Sequence, residues 1–141
     1  MPMSTNRRLI EDFYYKVWNA GDEKTAHRIL APHLAFRGST GPSKSGVAEF
    51  LDYVRLIRNA LGNYECVIDE LVTEGDRSFA KMIFRGIHVG TLFGVEPTGQ
   101  QIEWAGAALF RIHDAQISHI WVLGDVDSLK NQLGLVEEIS P

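Results

Sequence analysis

Few residues of this chain carry chemistry, and most of the usual constellations are missing. No His-Glu-x-x-His and no cysteine pair at ligand spacing offers a metal site. The single cysteine excludes an intrachain disulfide framework. The stretch Gly94-Val95-Glu96-Pro97-Thr98-Gly99 is glycine-rich, but it holds a proline and no helical pattern follows, so it does not read as a phosphate cradle. No Gly-x-Ser-x-Gly nucleophile turn is present. What remains is acid–base chemistry by Asp, Glu, His or Tyr, with no metal or cofactor called for. A carboxylate set among Trp, Leu and Phe loses hydration, and its pKa rises toward neutrality. Such a group is a usable general base or acid, and a neighbouring histidine can donate to a developing enolate oxygen. This pairing suits proton abstraction beside a carbonyl.

Register arithmetic nominates the residues. If Asp114-Ala115 forms a two-residue hairpin turn, His113 faces Gln116 and partners sum to 229. Phe110 then sits opposite His119, Ala108 opposite Trp121, Gly106 opposite Leu123, and Trp104 opposite Asp125. Alternation puts all eight on one face. On the preceding strand Met82, Phe84, Gly86 and His88 share a face. An even register across the loop near Val95 sets His88 against Ile102 and diagonal to Trp104. His88 and Asp125 would then flank Trp104 on one aromatic face, an arrangement that a one-residue slip destroys. The catalytic candidates are thus Asp125 and His88. Trp104, Phe110, Trp121 and His119 line the inferred pocket face.

Other readings stand beside these. Asp125 precedes Val126-Asp127-Ser128 and could cap a tail helix, for which Asp127 is the other candidate. His88, at a strand end, could be a hydrogen-bonded structural histidine. The three aromatic residues could be plain core. Arg37 stands beside a glycine loop and faces either solvent or a cavity mouth. Of Tyr14 and Tyr15 on one helix edge, one packs and the other is exposed.

The elements that must position these groups follow from periodicity. Leu9, Ile10, Phe13, Tyr14, Val17 and Trp18 recur at helical spacing, with Ser4 or Thr5 as a cap and Gly21 as a stop. Asp22 caps a second helix that ends at Pro32, and a short extended piece spans Leu34 to Phe36. A loop at 38–42 precedes a third helix from Ser43 or Ser45 to Gly62, with a stripe through Val47, Phe50, Val54, Ile57 and Leu61. Strands are expected at 64–72, 78–89, 102–112 and 117–123, then a short tail helix holding Leu129 and Leu133. Helices followed by an antiparallel run is the α+β pattern. Three helices and a bent four-to-six-stranded sheet can form a cone around a cavity, the default place for a ligand.

The 141 residues make one domain, 1–141, large enough to bury roughly 68–70% of its unfolded surface. Apolar residues at 45% and charged residues at 23% exclude a disordered chain. A net charge of −4 argues against nucleic-acid binding, and no apolar run reaches the ~20 residues of a membrane span. With no signal-peptide pattern at the N-terminus, a cytoplasmic protein without nucleic-acid or membrane partners is expected.

Arg85-Gly86-Ile87-His88-Val89-Gly90 followed by Phe93 to Gly99 resembles the Gly-x-His-x-Gly…Gly-x-x-Pro-Thr-Gly pattern of the SnoaL-like polyketide cyclases. These are also called ester cyclases, within the nuclear transport factor 2-like superfamily. The resemblance extends through Asn19-Ala20-Gly21-Asp22, Leu30-Ala31-Pro32, Gly106, Phe110-Arg111-Ile112, Trp121, Asp125 and Gln132-Leu133-Gly134, nearly the whole chain. It implies a cone-shaped α+β barrel with an apolar cavity and a homodimer packed through the sheet. It also implies cofactor-free intramolecular aldol condensation of a carbonyl compound, an activity of lyase or isomerase type. By motif position Asp125 is the acid/base and His88 the motif histidine. Trp104, Trp121, Phe110, His119, Arg37 and Tyr14 are the expected substrate contacts. The alternatives are a non-catalytic small-molecule binding module, or an isomerase, dehydratase or epoxide hydrolase on the same fold.

Overall fold

A computed structural model describes residues 3–135. Helix α1 runs Met3–Asp12, ahead of the Ser4 or Thr5 cap expected from the sequence, and continues as a π-helical segment Phe13–Trp18. Its wider turn, seen in the Asn19 N–H donating to the Tyr14 carbonyl at 2.9 Å, buries Phe13, Tyr14, Val17 and Trp18 together. Helix α2 (Glu23–Ile29) is capped as expected: Asp22 accepts from the Thr25 N–H at 3.0 Å. Helix α3 (Gly46–Ala60) buries the predicted stripe, and α4 (Val126–Gln132) closes the described chain.

Six strands form one curved, unclosed mixed sheet: β1 (Leu30–Arg37), β2 (Ser43–Ser45), β3 (Leu61–Glu74), β4 (Arg77–His88), β5 (Gln101–His113) and β6 (Gln116–Gly124). Their order is β2-β1-β6-β5-β4-β3, with only the β1–β6 pair parallel. The architecture is the expected α+β, with two differences in detail. The extended piece near Leu34 is a full strand that runs through Pro32. The missing N–H is tolerated because pairing with β6 lapses between Leu30 and Ala35. Ser43–Ser45, expected to open α3, is instead a short edge strand against β1.

Two registers decide which side chains face the helices. Across β4–β5 the pairs include Gly86↔Ile102 and Phe84↔Trp104, two residues offset from the expected His88–Ile102 pairing. An offset of two preserves side-chain parity, so His88 and Trp104 do share the inner face. Across β5–β6 the predicted turn is present: Asp114 and Ala115 both have positive φ and His113 faces Gln116. Beyond Ile112↔Ile117, however, a bulge at Ser118 shifts the partner sum to 230, giving Arg111↔His119 and Leu109↔Trp121. One inserted residue turns the rest of β6 over. Ile120 and Val122 face the core with Phe110 and Ala108, while His119, Trp121 and Leu123 point outward with Arg111, Leu109 and Ala107. The expected shared face of Phe110, His119, Trp121 and Asp125 is therefore overturned.

Gly106 of β5 sits where a Cβ would lie 2.3 Å from the Phe84 ring, so its missing side chain makes room for that ring on the inner face.

Candidate functional site

The candidate residues separate into three places. Tyr14, Trp104, Phe110 and His88 lie inside, all at most 2% exposed. Arg37, His119 and Trp121 lie on the outer face of the sheet. Asp125 stands alone at the start of α4.

The interior is an aromatic cluster. Phe13 and Tyr14 meet edge-on at 5.0 Å between ring centres, Tyr14 meets Phe110 at 5.9 Å, and Trp104 lies 5.5 Å from Phe84 and 6.2 Å from Tyr64. A cavity of about 10 Å³ remains, walled entirely by buried residues, among them Tyr14, Trp18, Ser39, Tyr64, Phe84 and Val122. That is roughly one water's space, far below the ~300 Å³ of a typical ligand pocket. The roomy aromatic-walled cavity expected from the sequence is thus mostly filled by its own rings. Phe110 packs in the core, and Trp121 is outside.

Three buried polar atoms have no partner in the protein: the Tyr14 hydroxyl, the Trp104 Nε1–H and the His88 Nε2. Such groups are uncommon in folded chains, because each buried orphan costs ~1–3 kcal/mol. Burial raises the Tyr14 phenol well above its ordinary value, with a smaller push from Cys66, so it stays an O–H donor through neutral pH. Tyr64 is raised likewise, first by burial and then by Cys66, and burial pushes up the Cys66 thiol. No Asp or Glu is among the buried polar residues described, so the interior presents donors and no carboxylate.

Asp125 is exposed and accepts the Ser128 N–H at 3.1 Å, capping α4. Its own N–H donates to the Ala105 carbonyl at 2.8 Å, which keeps it in step with the outward side of β5. The desolvated floor position expected of this carboxylate is not where it lies, because the Ser118 bulge precedes it.

On the outer face the Arg37 guanidinium lies 5.9 Å over the Trp121 ring and donates through Nη1 to the Val122 carbonyl. With Ala35, Lys44, Leu109 and His119 they line an open groove of about 590 Å³. His119 Nδ1 sits 2.9 Å from the Ser118 hydroxyl. Val72, Phe79, Leu109, Trp121 and Arg37 are successive cross-strand partners, a single row from β3 to β1. Its four apolar members are 38–62% exposed.

The sequence reasoning did not single out Trp18, Ser39, Tyr64 or Phe84 as lining, nor Thr98. Trp18 belongs to the apolar stripe of the first helix and Phe84 to the His88 face of its strand, but neither position marks a cavity wall, and Thr98 belongs to the Pro-Thr-Gly stretch. Among the described residues no group of three His, Cys, Asp or Glu is placed to hold a metal ion, and no helix is long and apolar enough to cross a membrane.

The fold recurs in solved structures. TsrD from Streptomyces laurentii superposes with a TM-score of 0.86 at 24% identity, covering 96% of this chain and 99% of that one. IdmH from Streptomyces antibioticus superposes at 0.79 and 23% identity, covering 91% and 97%. A protein of ketosteroid isomerase-like fold from Catenulispora acidiphila, in complex with trimethylamine, superposes at 0.76 and 14% identity, covering 94% and 97%. No curated protein is similar to the chain in sequence. The family model for SnoaL-like polyketide cyclase matches residues 8–133, nearly the whole of the described fold, and the chain belongs to that family.

Proposed function

We propose that the chain binds an apolar carbonyl compound against the inner face of the sheet and promotes metal-free proton transfer on it, of the intramolecular aldol type. The observation that carries this reading is that three interior polar atoms, Tyr14 Oη, Trp104 Nε1 and His88 Nε2, have no partner in the protein, with Tyr14 on the cavity wall and His88 four residues along β4 from Phe84, the cross-strand partner of Trp104. Donors held in a dry aromatic interior are suited to a carbonyl oxygen, and more so to the enolate it becomes. A ligand must displace rings to enter, since the cavity at rest is about 10 Å³. Asp125 serves as base only if substrate reaches the β6–α4 junction, where the carboxylate now caps a helix. The test is closure of a β-keto ester that carries a tethered ketone as the electrophile, followed by proton NMR. Acceleration by the chain that falls at least tenfold in Trp104→Phe supports the reading. Closure no faster than in buffer sinks it.

A second reading, a non-catalytic binding module, is favoured by the absence of any buried carboxylate among the described residues. It predicts ligand-dependent stabilisation with no turnover.

The protein acts as a homodimer packed through the exposed Val72–Phe79–Leu109–Trp121 row, which is apolar and continuous across four strands. Trp121→Glu should convert the dimer to monomer in sedimentation, and a wild-type monomer at high concentration refutes the dimer.

A further inference from the structure

The 89–100 connection returns to the end of β4 and extends its ladder. The His88 N–H donates to the Gln100 carbonyl and the Gly99 N–H donates to the His88 carbonyl, both at 2.9 Å. Gly99 takes φ +71°, which lets the chain reverse there and brings Thr98 over the imidazole. The Thr98 N–H then donates to His88 Nδ1 at 3.1 Å, and Thr98 Oγ1 lies 3.0 Å from the same nitrogen. Oγ1 also accepts the Gln100 N–H at 3.3 Å, leaving its own hydrogen for Nδ1.

A backbone N–H can only donate, so Nδ1 must offer its lone pair. The neutral ring therefore carries its hydrogen on Nε2. His88 is 0% exposed, and this Nε2 is one of the three unpartnered interior atoms.

We propose that Thr98 is a positioning residue that fixes His88 as an Nε2–H donor on the inner face. His88 thereby gives a hydrogen bond to a ligand oxygen and has no free lone pair with which to take a proton. Loop 89–100 thus sets the chemical sense of the interior site as well as closing a strand. The assignment rests on the interior being the ligand site, but its test needs no ligand.

The full chain, labelled with ¹⁵N-histidine, is followed by long-range proton–nitrogen correlation at neutral pH. The His88 signals are identified by their loss in His88→Gln. A single Nε2–H tautomer is expected. In Thr98→Val the Nδ1 signal should move toward the unbonded imine position, and Thr98→Ser should bring it back. Removing one of two donors of ~1 kcal/mol should also lower the ratio of Nε2–H to Nδ1–H forms about fivefold. A predominant Nδ1–H form in the wild type overturns the proposal whatever the variants do. So does an Nδ1 signal that Thr98→Val leaves unmoved while its backbone spectrum stays folded, for then Thr98 only anchors the loop. If the tautomer behaves as expected and no carbonyl compound binds, the positioning role stands and the proposed function falls. If turnover is found with an Nδ1–H ring, the positioning role alone falls.

Discussion

Removing the Tyr14 hydroxyl should stabilise this chain, the opposite of what truncating a buried polar group in a satisfied network does. The side chain is 1% exposed and its oxygen has no partner in the protein. Keeping an unbonded hydroxyl out of water costs ~1–3 kcal/mol. Tyr14→Phe removes that cost and leaves the ring against Phe13 and Phe110 at 5.0 and 5.9 Å. The volume lost is on the order of 10–15 Å³, which costs about 0.3 kcal/mol at ~24 cal/mol per Å³. The net gain is about 1 kcal/mol, or roughly 3 °C in Tm for a chain of this length. Urea denaturation at neutral pH reads it as a raised midpoint at constant slope. Tyr53→Phe is the control. That hydroxyl is bonded to Thr40 Oγ1 at 2.5 Å, and its loss should cost about 1 kcal/mol. If Tyr14→Phe instead loses 1 kcal/mol or more, the Tyr14 hydroxyl is bonded in solution and is not free to meet a ligand. The reasoning from unpartnered donors would then be refuted at its base.

Asp125→Asn should leave stability within ~0.5 kcal/mol, because Asn caps a helix as well as Asp, whereas Asp125→Ala should lose about 1 kcal/mol. Turnover that survives Asp125→Asn removes this carboxylate as the base. Stability should fall on the alkaline side. Cys66, Tyr14 and Tyr64 all have folded pKa values above their ordinary 9.0 and 10.0, so the unfolded chain releases these protons first. Their contribution is full below pH 9 and is lost as pH rises above it, by up to ~1.4 kcal/mol per pH unit for each group. Urea midpoints at pH 8, 10 and 11 should show this, with a shallower slope in Tyr64→Phe. A flat profile would mean that these groups ionise in place. Gly106→Ala should cost ~1–3 kcal/mol, because the added Cβ falls 2.3 Å from the Phe84 ring, and Phe84→Leu should relieve part of that loss.

Much of the fold was legible because its signals are local. The stripe of α3, the Asp22 cap and the Asp114-Ala115 turn each depend on neighbours within a few residues. The β4–β5 parity survived a mistaken pairing, because the error was two residues and side chains alternate with period two. The β5–β6 parity did not survive, because Ser118 adds one residue to one strand. Nothing in Gln116-Ile117-Ser118-His119-Ile120 announces a bulge. Ile117 and Ile120 are buried with Ser118 between them, and that spacing of three is the only trace. A single unpaired residue thus sent Trp121, His119 and Leu123 to the outer face.

The interior site was harder to read for a different reason. A donor becomes available to a ligand only when the fold leaves it without an acceptor, and that is a property of everything packed around it. Tyr14, His88 and Trp104 stand 74 and 16 residues apart along the chain, on a helix and two strands. Their residue types alone read as core. What sets them apart is the accounting of hydrogen bonds: three buried polar atoms left over where a chain of this kind normally pairs nearly all. At ~1–3 kcal/mol each, three orphans amount to a sizeable share of the 5–15 kcal/mol that holds a domain folded. A ligand that brings an acceptor to any one of them recovers that group's share on binding. The cost of each orphan at rest and its availability to an acceptor-bearing ligand are therefore two consequences of one arrangement, and a variant that removes that cost should also weaken binding.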